Sequence, residues 1–397
     1  MSPLVVRVYD VRFGDAVFVS IPDVENGQPV ERTILFDFGN ALGTEGGANT
    51  ALTPVAQDIL ARLGGAPLDL YVMTHEHLDH VQGPLYANQQ LGAQITARQV
   101  WLTGSSAPGY YASHPDARKQ KIAALAAYRR AAAALEDATE ASPFLGVLLA
   151  NNNPAKTADC VDYLRGSVAV PADVHYVDRT TDLSTLQPAS TATLSLWAPE
   201  EDTADYYGKF KPIAAGLGID DTFDFDDLDG PRLAAAPDPV PLGGIDAGAF
   251  YNLLDIRRGA TSTLLSIDQA ANNTSVVTLL EWSGWRLLLC GDAEKRSWRQ
   301  MAKVGVVGPV DFLKVSHHGS HTGMPPDDIL DVVLPRPAAG ATRSRAAVST
   351  YPNTYPGVPD GDTLAALRER VDLRSTRDLQ PGDLFVELRF DEAGPPP

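Results

Sequence analysis

Short apolar runs rich in β-branched residues alternate with turn residues along the first forty positions. Residues 4–9, 16–21 and 33–36 fit strands, and Gly14-Asp15 fits a turn between the first two. Strands this close together in the chain predict an antiparallel meander. The third run ends at Asp37, which either supports a site at that strand end or serves only as a turn residue.

A helix and a buried strand are predicted next. Thr53 suits the N-cap, and Pro54 the first helical position, of a helix over residues 53–63. Residues 68–73 are almost continuously apolar, which is typical of a strand buried on both faces. Gly83-Pro84 then marks irregular chain.

The second half returns to regular structure. Residues 275–282 and 285–290 predict a hairpin, and residues 310–315 predict another strand. Asp362 suits the N-cap of a short helix before a last strand over residues 384–388. Strands that alternate with helices in this way indicate an α/β (α+β) fold.

Two segments interrupt this rhythm. Residues 103–165 are rich in alanine, arginine and lysine and predict a helical insertion. Residues 200–260 are acidic and rich in glycine and proline, and predict a loop-rich insertion. We therefore expect one domain over residues 1–397 that carries both insertions.

Composition adds limits on function. The chain has 397 residues, of which 44% are hydrophobic and 21% charged, as in ordinary globular proteins. Its formal net charge of −18 disfavours a broad nucleic-acid footprint. Two cysteines give no disulfide framework, and no apolar run reaches the ~18 residues of a membrane span. Without a leader pattern, the cytoplasm is the expected location.

Histidine is concentrated in two places. Residues 75–80 (His-Glu-His-Leu-Asp-His) and residues 317–321 each follow a predicted strand, and together they hold six of the eight histidines. His75 and His77 leave the same face of extended chain, unlike the two histidines of the helical zinc-protease motif. Imidazole and carboxylate together suit zinc, with manganese and iron as alternatives.

A third strand end adds a carboxylate. Gly291-Asp292 follows the predicted strand over residues 285–290. Alone, this pair would be typical of a turn. Beside two histidine clusters, Asp292 could bridge two cations, which two-metal hydrolases hold ~3.5–4 Å apart.

This order of residues resembles that of the metallo-β-lactamase-fold hydrolases. Within that superfamily, the chain looks most similar to the soluble hydrolase domain of ComEC-type DNA-uptake proteins and to phosphorylcholine esterases. The resemblance covers residues 1–100 and 260–390. The motifs that carry it are His75-x-His77-x-Asp79-His80, Gly291-Asp292, and the strand followed by His318.

The resemblance implies a four-layer αββα sandwich with two divalent metal ions at one edge. His75 and His77 would bind the first ion, and Asp292 would bridge to the second. The second ion would be bound by Asp79, His80 and His318.

The resemblance also implies roles in catalysis. Asp79 would orient the nucleophile as well as bind metal. His317 would face the substrate, unless it exchanges roles with His318. His317, His321, Asn353 or Tyr355 would contact the phosphate or the leaving group.

The expected reaction is phosphoester hydrolysis of the phosphodiesterase type by a metal-bound hydroxide. Two departures from the pattern bear on it. Residues 272–275 (Asn-Asn-Thr-Ser) stand where most members carry another histidine ligand, so we expect a weaker or more exposed first ion. Residues 353–359 lack the histidine of the Asn-x-Tyr-Gly-His-Pro ending, which weighs against a nuclease.

Two other functions stay open beside a small-molecule or phosphoester hydrolase. A nuclease, for which nucleic acid is the less favoured partner, predicts a basic groove near the site. A non-catalytic metal-binding module predicts a protein partner on the insertion. The groove of a nuclease would draw on Arg118, Lys119, Lys121, Arg343 and Arg345.

Overall fold

The computed structural model describes residues 2–41, 48–135, 143–169, 173–207, 264–338, 340, 342–351 and 357–395. The strands are β1 Leu4–Tyr9, β2 Ala16–Glu25, β3 Gln28–Phe38, β4 Leu68–Met73, β5 Ala97–Thr103, β6 Val174–Val177, β7 Ala192–Ala198, β8 Val277–Trp282, β9 Trp285–Leu289, β10 Phe312–Lys314, β11 Ser344–Val348, β12 Val371–Ser375 and β13 Phe385–Phe390. The helices are α1 Ala48–Leu63, α2 Leu78–Leu91, α3 Tyr110–Ser113, α4 Pro115–Leu135, α5 Pro143–Asn151, α6 Pro154–Tyr163, α7 over residues 264–272, α8 Lys295–Lys303, α9 Asp327–Val333 and α10 Gly361–Arg370.

Among the described residues the strands form two mixed sheets. The first has the order β13-β1-β2-β3-β4-β5-β6, and the second has the order β12-β11-β10-β9-β8-β7. The pairs β1–β2 and β2–β3 are antiparallel, which confirms the predicted meander. The strands that precede the histidines, β4 and β10, pair in parallel with their neighbours.

Three apolar clusters separate the layers. One joins the inner faces of the two sheets and includes Val19 and Leu287. A second packs α1, α2 and α6 on the first sheet, and a third packs α8, α9 and α10 on the second. Helices therefore cover the outer face of each sheet, and the predicted four-layer αββα order is confirmed.

Two local predictions around β4 are wrong. Thr53 and Pro54 lie inside α1, and the Thr53 hydroxyl hydrogen-bonds the Tyr86 hydroxyl at 2.8 Å, so it does not cap the helix. Gly83 and Pro84 lie inside α2 and are not irregular chain. Gly83 is required there because a Cβ would lie 2.2 Å from the Phe38 ring.

Smaller differences occur near the carboxyl end. The cap of α10 is Asp360, whose side chain accepts from Thr363 N at 2.8 Å, and not Asp362. The strand β12 was not predicted, because its Val-Asp-Leu-Arg-Ser sequence is largely polar. No helix in the described part of the chain has both the length and the apolar character needed to cross a membrane.

The segment predicted as a helical insertion contains α3 to α6. Its status as an insertion in a single domain stays a prediction. Most of the predicted acidic, loop-rich segment falls on residues 208–263, which lie outside the described residues.

Candidate metal centre

The histidine-rich stretch joins the end of β4 to the start of α2. Met73 ends the strand, and His77 occupies the N-cap position of the helix. Asp79 and His80 lie in the first turn of α2, where an aspartate is favoured by the helix dipole. The candidate ligands are therefore carried partly by a helix, and not by a loop as their glycine and proline neighbours suggested.

Four side chains from three strand ends converge in the interior. Asp79, His80, Asp292 and His318 each offer one ligand atom, and these atoms all lie within 4.8 Å of one another. His80 Nε2 is 3.2 Å from Asp292 Oδ2, and His318 Nε2 is 3.2 Å from Asp79 Oδ2. Within the described ranges, the buried atoms Asp79 Oδ1 and His80 Nε2 have no hydrogen-bond partner of proper geometry. This donor set fits a divalent cation such as zinc.

The two histidines of this cluster are held through their other ring nitrogen. Asp37 Oδ2 lies 2.8 Å from His80 Nδ1, and the same carboxylate accepts from Thr74 N and Oγ1, each at 2.7 Å. His318 Nδ1 is 3.3 Å from the Ser349 carbonyl oxygen. Contacts of this kind fix the tautomer and orientation of metal-binding imidazoles. They leave both Nε2 atoms directed at the carboxylates.

The charge in the cluster is strongly coupled. Burial lowers the pKa of His80, but Asp292, Asp79 and Asp37 outweigh it and raise that pKa well above the usual value. Burial raises the pKa of Asp292, yet His80 and His318 hold it well below its usual range. Three buried carboxylates around one imidazole form an excess of negative charge that a cation would neutralise.

His75 and His77 form a neighbouring pair. His75 Nε2 lies 3.0 Å from His77 Nδ1, so one nitrogen of each ring faces the other, and the His75 ring centroid is 4.2 Å from that of His80. Burial lowers the pKa of His75, and the neighbouring His80 and His77 lower it further, to well below its usual range. His75 is therefore neutral at ordinary pH and has a lone pair to offer as a ligand.

Two asparagines at the end of α5 contact this stretch. Asn151 Oδ1 accepts from the Asp79 backbone N at 3.0 Å. Asn152 Oδ1 lies 3.2 Å from His77 Nε2, and its Nδ2 donates to Asp268 Oδ1 at 2.7 Å. The helical segment thus holds both halves of the candidate centre from outside.

His317 and His318 face different ways because of their backbone. Both adopt the left-handed conformation, with φ of 48° and 51°, which is uncommon for side chains other than glycine and asparagine. His318 points at Asp79, whereas His317 Nδ1 lies 3.2 Å from Glu294 Oε1. Burial lowers the pKa of His317, but Glu294 and Asp292 outweigh burial and raise that pKa to about 9.

Close backbone packing supports the ligand stretch. A Cβ on Gly39 would lie 2.4 Å from the Asp79 carbonyl carbon, and one on Gly14 would lie 2.6 Å from the Asp79 oxygen. Asp15 N donates to that same oxygen at 3.0 Å. Glycine at both positions lets the meander lie directly against the first turn of α2.

The predicted site residues divide into three groups. The structure brings Asp79, His80, Asp292 and His318 together, with His75 and His77 beside them. His317 lies next to this cluster and donates its backbone N to Asp292 Oδ1 at 3.1 Å. Asn353 and Tyr355 lie outside the described residues.

The cations predicted for a nucleic-acid groove lie on two separate elements: Arg118, Lys119 and Lys121 are on α4, and Arg343 and Arg345 are at the start of β11. Lys121 lies beside the candidate centre, where its Nζ is 3.3 Å from Glu76 Oε2. Arg345 is in the first half of β11, and its guanidinium lies over the rings of Trp285 and Phe390. The opposite end of β11 leads to Ser349, next to His318. The strand therefore separates Arg345 from the site.

Several residues of the site gave no recognisable signal in the sequence. Asn151, Asn152, Asp268 and Glu294 lie far from the histidine motifs in the chain, and none has a distinctive spacing. Asp37 is different, because its place at a strand end was a usable signal. Asn272, in the segment that replaces the expected histidine, donates to Glu294 Oε1 at 2.8 Å.

Comparison with solved structures finds chains that are similar to this one. The metallo-β-lactamase fold protein YhfI from Bacillus subtilis is similar with a TM-score of 0.39 and 10% sequence identity, covering 98% of this chain and 100% of that chain. No protein-family model matches the chain, and no curated protein matches it.

Proposed function

We propose that the protein is a metal-dependent hydrolase of phosphoesters. One observation carries the proposal: Asp79, His80, Asp292 and His318 converge from separate strand ends with their ligand atoms within 4.8 Å. The order of these residues in the chain and the four-layer architecture support membership of the metallo-β-lactamase superfamily. Kinship with ComEC-type domains and phosphorylcholine esterases stays a prediction, as does a cytoplasmic location.

The residues fit a centre for one ion, with His75 and His77 beside it for a second. When bound, divalent ions supply Lewis acidity toward a phosphoryl oxygen and lower the pKa of water. Zinc suits these ligands best, and manganese and iron are the alternatives.

The side chains of the protein perform the remaining tasks. Asp79 accepts a hydrogen bond from water and orients it toward the phosphorus. Asp37 and the Ser349 carbonyl keep the imidazoles of His80 and His318 in one orientation. His317, held by Glu294, is protonated at neutral pH and offers positive charge to the phosphate.

The test uses bis(4-nitrophenyl) phosphate as a generic phosphodiester. The protein is stripped with a chelator and reloaded with Zn²⁺, Mn²⁺ or Fe²⁺. Turnover returns with one of these ions, and Asp292→Asn lowers it at least ~100-fold together with the bound metal. The control is His175→Ala, which removes a partly exposed histidine paired with Asp173 at 2.7 Å. Unchanged turnover in Asp292→Asn would refute the assignment.

Two other results lead to the alternatives. Stoichiometric metal binding without turnover of any phosphate mono- or diester favours a metal-binding interaction module. Cleavage of DNA with a steep dependence of binding on salt favours a nuclease. The separation of Arg343 and Arg345 from the three cations of α4 makes the second result the less expected one.

A further inference from the structure

A cavity of about 380 Å³ lies between the ligand stretch and the helices α4 and α6. Its wall includes His77, whose Nδ1 is 3.0 Å from His75 Nε2, so the cavity borders the candidate centre directly. Its volume is within the range of small-molecule sites, which hold ~300–1,000 Å³. No role is assigned to this space by the hydrolase chemistry above.

The walls of this cavity are mainly apolar and include two aromatic rings. Tyr111, Leu125, Tyr128, Val161 and Ile267 contribute rings and hydrocarbon groups. Tyrosine rings offer flat faces for stacking against another ring. An aliphatic and aromatic lining of this kind selects for a ring or hydrocarbon group over a hydrated ion.

The charged groups of the lining are balanced in pairs. Lys121 Nζ lies 3.3 Å from Glu76 Oε2, and Arg165 forms an ion pair with Asp162. Glu76 Oε1 also accepts from Ser106 Oγ at 2.7 Å. The lining therefore has no net formal charge. A charged group of a ligand would lose its hydration there without meeting an excess of opposite charge.

We propose that this cavity binds an uncharged aromatic arm of the substrate, while the phosphate of the same molecule lies at the metal centre. This inference rests on the proposed function and narrows it to aryl-type phosphoesters. The helical segment then serves as the specificity element of the enzyme, because α4 and α6 supply much of the cavity wall.

The experiment compares 1-naphthyl phosphate with methyl phosphate as ligands of the metal-loaded protein. Both carry the same phosphate, and only one has an aromatic arm. Isothermal titration calorimetry is expected to show roughly tenfold tighter binding of the naphthyl compound, from burial of its apolar area.

Two variants of α6 test where the arm binds. Ala158 lines the cavity, and Ala158→Phe fills it from the wall. Ala155 is exposed on the same helix and does not line the cavity, so Ala155→Phe is the matched control. The preference for the naphthyl compound should fall below twofold in Ala158→Phe and persist in Ala155→Phe.

Each result separates this proposal from the proposed function. A preference that collapses in Ala158→Phe supports the cavity, even if bis(4-nitrophenyl) phosphate is not hydrolysed, in which case only the hydrolase function fails. Equal affinities in the wild type, an unchanged preference in Ala158→Phe, or failure of both compounds to bind would overturn the cavity proposal.

Discussion

Lys314 Nζ lies 2.7 Å from Asp15 Oδ2, and both side chains are no more than 3% exposed. Lys314 ends β10 in one sheet, and Asp15 precedes β2 in the other. The Asp15 carboxylate also accepts from the Ser349 hydroxyl, and the Lys314 ammonium donates to the Val315 carbonyl at 3.1 Å. This buried ion pair joins the two sheets immediately behind His318.

Breaking this pair should be costly. Lys314→Met leaves the Asp15 carboxylate buried without its cation, and we expect a loss of about 3–5 kcal/mol in the free energy of unfolding. Urea denaturation followed by circular dichroism measures it. Lys303→Met, at an exposed lysine of α8, is the control and should change stability little. A loss below about 1 kcal/mol in Lys314→Met would show that the pair is unimportant.

Asp37 should control metal affinity without binding the ion itself. Asp37→Asn keeps the shape and tolerates the left-handed backbone at this position, where φ is 54°, but removes the charge that holds His80 Nδ1. We expect affinity for Zn²⁺ to fall about 10–100-fold, as measured by competition with a chromogenic chelator. Asp58→Asn, which removes the charge that pairs with Arg7 at 3.4 Å, should retain wild-type affinity. Equal affinities in the two variants would contradict the role.

Asn152 should matter for one half of the centre only. Its contact at 3.2 Å with His77 Nε2 orients that ring, whereas His80 and His318 are held by other groups. Asn152→Ala should therefore weaken the ion at His75 and His77 about 10-fold and leave the ion at Asp79 in place. Metal content across a zinc titration, measured by mass spectrometry, reports the loss as a change from two ions to one. Loss of both ions together would indicate that the two halves are not independent.

Acid stability should depend on Asp23. Burial opposes ionisation, but hydrogen bonds from Ser190 and then Arg32 lower the pKa of Asp23 to about 2. Because the pKa of Asp23 is lower in the folded state, the ionised carboxylate stabilises the fold at every pH above its unfolded-state pKa. This stabilisation is lost as the pH falls toward 2. The ordinary pKa of an aspartate is 3.8, and lowering it to about 2 contributes about 2 kcal/mol to the free energy of unfolding. Urea midpoints between pH 5 and 2 should fall more in the wild type than in Asp23→Asn. Parallel curves would exclude this linkage.

Much of the fold followed from periodicity. The apolar runs placed most of the predicted strands to within two residues, although β2 and β3 are longer than expected, because a buried strand needs several successive β-branched or large apolar side chains. Failures occurred where tertiary contacts decide. Gly83 and Pro84 look like chain breakers, yet α2 continues through both, and the Phe38 ring occupies the space that a Cβ at position 83 would need.

The candidate site divides in the same way. The sequence alone determined which imidazoles and carboxylates are available and that they follow strand ends, because those ligand types and spacings are local. It did not determine that Asn152 and Asp268 reach His77, or that Lys314 pairs with Asp15, 299 residues away. Only tertiary packing decided these contacts. The sequence around a single polar side chain does not identify its partner. The two groups reach hydrogen-bond distance only when the two sheets and the helical segment pack together.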